Sequence, residues 1–366
     1  MDDTLLYQIA LTLIPRIGPV QAKILVDHFG NAASVFKARK EELDKLDGIG
    51  EVRASSIRHF KNFKKAEEEI LFIERYKIQP LFLTDDCYPK RLLNCYDPPT
   101  ILFYRGNANL NTSKIVAVIG TRSNTEYGKH ITEKLIADLS RQEVLVVSGL
   151  AFGIDAIAHK ASLKNGLSTV GVLAHGLHTI YPEQHASLAK TIVKNGGLIS
   201  EFKSNIKPDK HNFPNRNRIV AGMSDAVIVV ETGIKGGSMI TAELANSYNK
   251  DVFAFPGRST DMVSAGCNQL IKTNKAMLIT DAQQLLEIMG WENKKTSRSK
   301  VQKELFIELS ADEKIVYDIL KLSSYTHIDE INMKSGISSS RVAAAILNLE
   351  IKNIIAVMPG KRYWLI

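Results

Sequence analysis

The period of the apolar positions changes twice along the chain. Over residues 1–76 they fall at helical spacing: Leu5, Leu6, Ile9 and Leu13, then Ile24 and Leu25, then Leu43 and Leu46. Gly18, Gly30, Gly48 and Gly50 interrupt them, the texture of short amphipathic helices joined by tight turns. Over residues 77–291 short apolar runs alternate with amphipathic stretches. The runs are Ile115–Ile119, Val144–Val147, Thr169–Leu173, Leu198–Ile199, Ala226–Val230 and Val252–Phe255. Strands alternating with helices at this spacing predict βαβ units, hence a Rossmann-like, doubly wound, mostly parallel α/β sheet covered on both faces. Leu81–Leu83 and Ile101–Tyr104 read as extended pieces that lead into that sheet.

Residues 292–309 are polar and basic with almost no apolar period, which predicts a linker. Residues 310–366 then form a small winged-helix-like module. A helix starts at Ser310-Ala311-Asp312-Glu313. Ile328–Lys334, a turn at Gly336 and Ser340–Glu350 follow as a helix pair, and Ile354–Met358 with Arg362–Leu365 make a terminal hairpin. The second helix of the pair holds one arginine and several alanines, a poor surface for phosphate. It predicts protein contact or weak DNA contact.

A chain of 366 residues, 45% hydrophobic and 23% charged, is ordinary globular protein rather than disordered or fibrous. No apolar run approaches the roughly 18 residues a membrane span needs, and three scattered cysteines build no disulfide framework or zinc cluster. The nine histidines show no ligand spacing, so neither a metal nor a cofactor is expected. These features together predict a cytoplasmic location. A formal charge of +8 favours polyanionic partners, of which nucleic acid is the commonest large one.

Candidate chemistry lies at the turns that follow the strands. Gly120-Thr121-Arg122 follows the run at Ile119, with Thr125, Tyr127 and Gly128 entering a helix. The turn lacks both G-x-G-x-x-G and the triphosphate-binding glycine loop. It offers instead an arginine able to fork onto phosphate oxygens. Ser148-Gly149 ends another run, and Asp155 then reads as a helix cap and His159 as a packed or surface histidine. Ser148, Asp155 and His159 lack the nucleophile elbow that a hydrolytic triad needs. Lys210, Asn212, Phe213, Arg216, Asn217 and Arg218 gather cations, amides and an aromatic face. One of the two arginines is expected to pair internally with an acid such as Asp225 or Glu231. Gly236-Gly237-Ser238, with Thr241, opens a further helix and forms a second anion nest. Two nests at adjacent strand ends, with Arg122 and Lys210 nearby, describe one phosphate-binding cleft.

The glycine turns at Ile17-Gly18-Pro19 and Gly48-Ile49-Gly50 each precede a helix and resemble tandem helix-hairpin-helix motifs, which grip nucleic-acid backbones without reading sequence. A helical bundle that merely turns corners fits them equally, and Glu51 would repel a phosphate at the second.

Seven stretches taken together resemble the DprA/Smf family, the DNA-processing proteins of natural transformation. They are IGTRSNTEYG (119–128), SGLAFGIDAIAH (148–159), VLAHGLHTIYPEQH (172–185), GLISEF (197–202), FPNRNRIVAGMSDAVIVVE (213–231), GGSMITAELA (236–245) and FAFPG (253–257). The resemblance implies a protein without catalytic activity that binds single-stranded DNA on its Rossmann-like domain, forms a homodimer and helps to load the RecA recombinase. It places Arg122, Lys210, Phe213 and Gly237-Ser238 at the DNA pocket. The sequence departs from the family pattern at Ala174-His175, Gly236 and Lys275-Ala276. The competing reading is a nucleotide-cleaving enzyme like the phosphoribohydrolases, with Gly236, Gly237, Thr241 and Glu243 at its site.

Overall fold

The computed structural model describes residues 3–292, 309–322, 325–352, 354–358 and 360–365. They divide into two compact units, 1–292 and 293–366. Apart from its two end residues, the expected linker at 292–309 lies outside the described residues.

The first unit is built on a nine-stranded sheet. Its strands are β1 (Gln79–Phe82), β2 (Ile101–Gly106), β3 (Ile115–Ile119), β4 (Leu145–Ser148), β5 (Thr169–Val172), β6 (Gly196–Ser200), β7 (Ala226–Val229), β8 (Asp251–Ala254) and β9 (Met277–Leu278). Their order across the sheet is β1-β2-β6-β5-β4-β3-β7-β8-β9. From β6 to β9 every pairing is parallel, while β1 with β2 and β2 with β6 are antiparallel. The two lead-in pieces therefore extend the main sheet as an antiparallel edge. The chain winds outward from β3 in one direction through β6, then returns beside β3 with β7, so strand order reverses between β3 and β7.

The runs are continuously apolar because both faces are covered. Ile115, Ala117 and Ile119 of β3 join the core shared with the N-terminal helices and with helices Asn212–Gly222, Gly237–Ser247 and Ala265–Lys272. Val116 and Val118, pointing the other way, pack with helices Glu126–Leu139, Ile154–Lys164 and Ala282–Ile288. Each fully buried valine or isoleucine contributes about 1.5–3 kcal/mol relative to exposure, and this alternation places successive residues of one strand in two separate cores.

At the N-terminus both glycine turns precede helices as expected, Pro19–Phe29 and Gly50–Arg58. Arg53 ties the turns together, donating to the carbonyls of Arg16 (3.2 Å) and Gly48 (3.1 Å). Glu51 is neutralised by Lys40 at 2.9 Å.

The second unit has helices Ala311–Leu320, Ile328–Ser335 and Ser339–Ile351, followed by the hairpin Ile355–Met358 and Arg362–Leu365. A two-residue strand at Thr326–His327 completes a three-stranded wing. Ser310 caps the first helix in a capping box with Glu313. On Ser339–Ile351 the arginine, Arg341, is held by Asp312. Leu347 and Ile351 stand 57% and 71% exposed on that helix.

Candidate functional site

A cleft of about 490 Å³ opens beyond the carboxyl ends of β3, β4 and β7, at the point where strand order reverses. This is where an open parallel sheet offers diverging loops and helix starts to a ligand. Gly120, Thr121 and Arg122 come to it from β3, and Gly149, Ala151 and Asp155 from the turn after β4. Lys210, Phe213, Arg216 and Asn217 come from the start of Asn212–Gly222, and Thr232, Gly233, Gly236, Gly237, Ser238 and Thr241 from beyond β7.

Four helices begin around this cleft; Asn212–Gly222 starts without a side-chain cap, and the first-turn amides of the other three are in different states. The amide and hydroxyl of Thr125, at the start of Glu126–Leu139, donate to the carboxylate of Glu231 at 2.9 and 2.5 Å, and Thr125 Oγ1 accepts from the Gly128 amide at 3.1 Å. Asp155, in the first turn of Ile154–Lys164, folds back so that its Oδ2 accepts from the amides of Gly149 (3.1 Å) and Ala151 (3.4 Å). The first start is thus closed by the buried carboxylate of Glu231, while at the second Asp155 engages the loop amides and the Ile154 amide donates to the Thr121 carbonyl at 3.2 Å. The third helix, Gly237–Ser247, is preceded by Gly236, which has no side chain to cap with. Its first amides have no intrahelical partner and remain available to an outside acceptor. Of the two anion nests in the sequence pattern, the one after β3 is closed by Glu231 and the one at Gly237-Ser238 is open, in the cleft that Arg122 also lines.

The charges follow the same division. Arg122 and Lys210 are exposed and have no ion pair or hydrogen bond from their side chains among the described residues. Arg122 instead lies over the Phe213 ring, its guanidinium carbon 5.2 Å from the centroid, a cation–π distance. Arg216 is buried at the cleft floor, where it donates to the carbonyls of Gly149 and Val172 and to Asn217 Oδ1. Burial lowers its proton affinity and the charge of Asp155 restores part of it. Burial pushes the Asp155 carboxyl up from its ordinary value, and Arg216 pulls it back.

Of the fourteen residues singled out from sequence, three are not brought to the cleft. Ser148 is fully buried and donates to the Val118 carbonyl at 2.7 Å. Asn212 reaches the Lys207 carbonyl at 3.4 Å. Arg218 points to the opposite side of its helix, where it pairs with Glu201 and with Asp97. One arginine of the pair does turn inward, as expected, but on different acids. Asp225 is taken by Arg91 at 2.6 Å, and Glu231 by Thr125. Asp155, read as a simple cap, lines the cleft; the residue preceding its helix is Gly153. His159 is buried against Thr169 Oγ1 at 2.7 Å, and burial lowers its pKa to about 3. Glu243, which the nucleotide-cleaving reading would use, does not line the cleft but faces Lys275 at 3.3 Å on the surface. Among the described residues no cluster of three or more His, Cys, Asp or Glu is arranged to hold a metal ion, and no helix is long and apolar enough to cross a membrane.

Residues 79–290 match the model of the DNA recombination-mediator protein A family. The chain belongs to that family, DprA/Smf. The flanks agree: residues 8–70 match a helix-hairpin-helix motif and 306–361 the DprA winged helix domain. Protein Smf of Synechocystis is 32% identical over 391 residues, covering 98% of both chains. A crystal structure of DNA processing protein A from Streptococcus pneumoniae superposes with a TM-score of 0.68 at 33% identity, covering 77% of this chain and 97% of that one. A structure describing the single-stranded DNA binding mode of DNA processing protein A from Helicobacter pylori gives 0.53 at 34% identity, with 58% and 95% covered.

Proposed function

We propose that the cleft binds single-stranded DNA. Phosphates lie against Arg122, Lys210 and the first-turn amides of Gly237 and Ser238, and a base lies against Phe213. Gly120, Thr121, Gly149, Arg216, Asn217 and Thr241 shape the cleft, while Ser148, Asn212 and Arg218 hold its walls from behind. The observation that carries this reading is that Arg122 and Lys210 are unpaired among the described residues beside the uncapped start of Gly237–Ser247, when Asp155 and Glu231 are already engaged. An aromatic face can stack on a base only when that base is not shut inside a duplex, which selects a single strand. The Helicobacter pylori relative, whose structure describes a single-stranded DNA binding mode, supports it.

The chain acts without catalysis, as a homodimer in the cytoplasm that passes the strand to a RecA recombinase. Its membership of a recombination-mediator family supports this step. The apolar outer face of Ser339–Ile351 suits the winged helix to protein contact rather than to phosphate.

Fluorescence anisotropy with single- and double-stranded oligonucleotides at two salt concentrations tests the reading. The single strand binds more tightly, and its affinity falls with salt by about 0.7 in log–log slope for each phosphate neutralised. Equal affinity for both forms, or no response to salt, removes the reading.

A further inference from the structure

Tyr181 lies in the 172–185 stretch, of which only the Val172 carbonyl enters the cleft described above. Its ring is 47% exposed, and its centroid is 6.2 Å from that of Phe213 with the planes tilted by 49°. Its hydroxyl makes no hydrogen bond among the described residues, so no polar anchor explains the position of the ring. The segment that carries it is nonetheless fixed at both ends. The His175 carbonyl accepts from Ser200 Oγ at 2.7 Å, and the Gly176 amide donates to the Ile206 carbonyl at 2.9 Å. Beyond the tyrosine, His185 Nδ1 lies 2.9 Å from the Leu150 carbonyl. An exposed aromatic is thus held rigidly beside the ring that Arg122 covers.

We propose that Tyr181 is a second nucleobase platform, taking the base adjacent to the one on Phe213. The proposal rests on the single-strand reading of the cleft. Bases stack at a rise of about 3.4 Å, so a base inserted between two rings needs roughly 6.8 Å of parallel separation. The two rings are closer than that and far from parallel, so no base enters between them. Tyr181 presents its own exposed surface instead, and the tilt between the rings forces neighbouring bases apart from one another. This matches the general design of unspecific single-strand binders, in which successive aromatics line a positively charged groove. The ring recognises any base, since every base has a π face.

Anisotropy titrations of a thymidine oligonucleotide decide the matter, with Arg122→Ala and Phe213→Ala run alongside. Tyr181→Ala weakens binding about tenfold, within the range that base–aromatic stacking contributes. It does so without changing the slope of affinity against salt, because no phosphate contact is lost. Tyr181→Phe and Tyr181→Trp restore the affinity, and the new tryptophan is quenched on DNA addition with the same midpoint as the anisotropy change. The tryptophan variant also covers the case in which the alanine variant fails to fold. Wild-type affinity in Tyr181→Ala, with Arg122→Ala and Phe213→Ala both weakened, overturns the second platform alone. An unquenched tryptophan in a variant that still binds does the same. Wild-type affinity in all three alanine variants overturns the reading of the cleft itself.

Discussion

The guanidinium of Arg216 occupies the space where Gly149 would carry a side chain: a Cβ built on that glycine falls 1.8 Å from Nη1. The absence of one carbon at the end of β4 thus lets a buried arginine form the cleft floor. Gly149→Ala pushes Arg216 off the Gly149 and Val172 carbonyls, and overpacking of this kind costs about 1–3 kcal/mol. Thermal melting followed by circular dichroism is expected to fall, together with single-strand affinity by anisotropy. A variant that melts and binds like the wild type would show that the floor yields without consequence.

Arg122 and Lys210 predict a different signature. Neither makes an ion pair among the described residues, so Arg122→Ala and Lys210→Ala leave the melting temperature near that of the parent. Each weakens single-strand binding several-fold and lowers the salt slope by about 0.7. An unchanged slope in both variants removes them from phosphate contact.

Arg218 predicts the reverse. Its removal leaves Glu201 and Asp97 facing each other at a buried site, and breaking a buried pair from one side costs about 3–5 kcal/mol. Urea unfolding of Arg218→Ala is expected to show that loss. Its folded fraction binds single strands within about twofold of the parent, as expected for changes away from a contact surface.

Glu201 gives a pH test. Burial raises its carboxyl from 4.5 to about 7, with Arg218 opposing and Asp97 adding to the shift. Between those two values the folded chain keeps a proton that the unfolded chain has released. Stability from this group is therefore complete below 4.5 and declines as pH rises to about 7. His159 works in the opposite sense, because its pKa drops from 6.5 to about 3 on folding and stability is lost as pH falls through that window. The measurement is consequently the difference between Glu201→Gln and the parent, by urea titration across this range. Parent stability declines relative to the variant as pH rises; a flat difference rejects the assignment.

Much of this architecture is legible in the sequence because a parallel sheet buried on both faces leaves uninterrupted apolar runs. β3 and β7 follow from Ile115–Ile119 and Ala226–Val230 almost to the residue. β9 is invisible, since two exposed residues, Met277 and Leu278, carry no period. Arg216 and Arg218 look alike in a basic cluster, yet residues two apart on a helix point about 200° from each other, so only one can face the cleft. That geometric signal was present in the spacing. The closing of a helix start by Glu231 was not, because Glu231 lies far along the chain from Thr125 and only folding brings them to 2.5 Å.

The reversal between β3 and β7 also sets a condition on when the cleft can exist. Arg122 emerges early from synthesis, but the wall opposite it depends on β7 pairing in parallel beside β3, a contact between distant parts of the chain that forms slowly. A nascent or truncated chain ending before Ala226 carries the arginine and the aromatic ring with no groove between them. A cleft walled on both sides therefore arrives in one step with completion of the central sheet, rather than growing as the polypeptide lengthens.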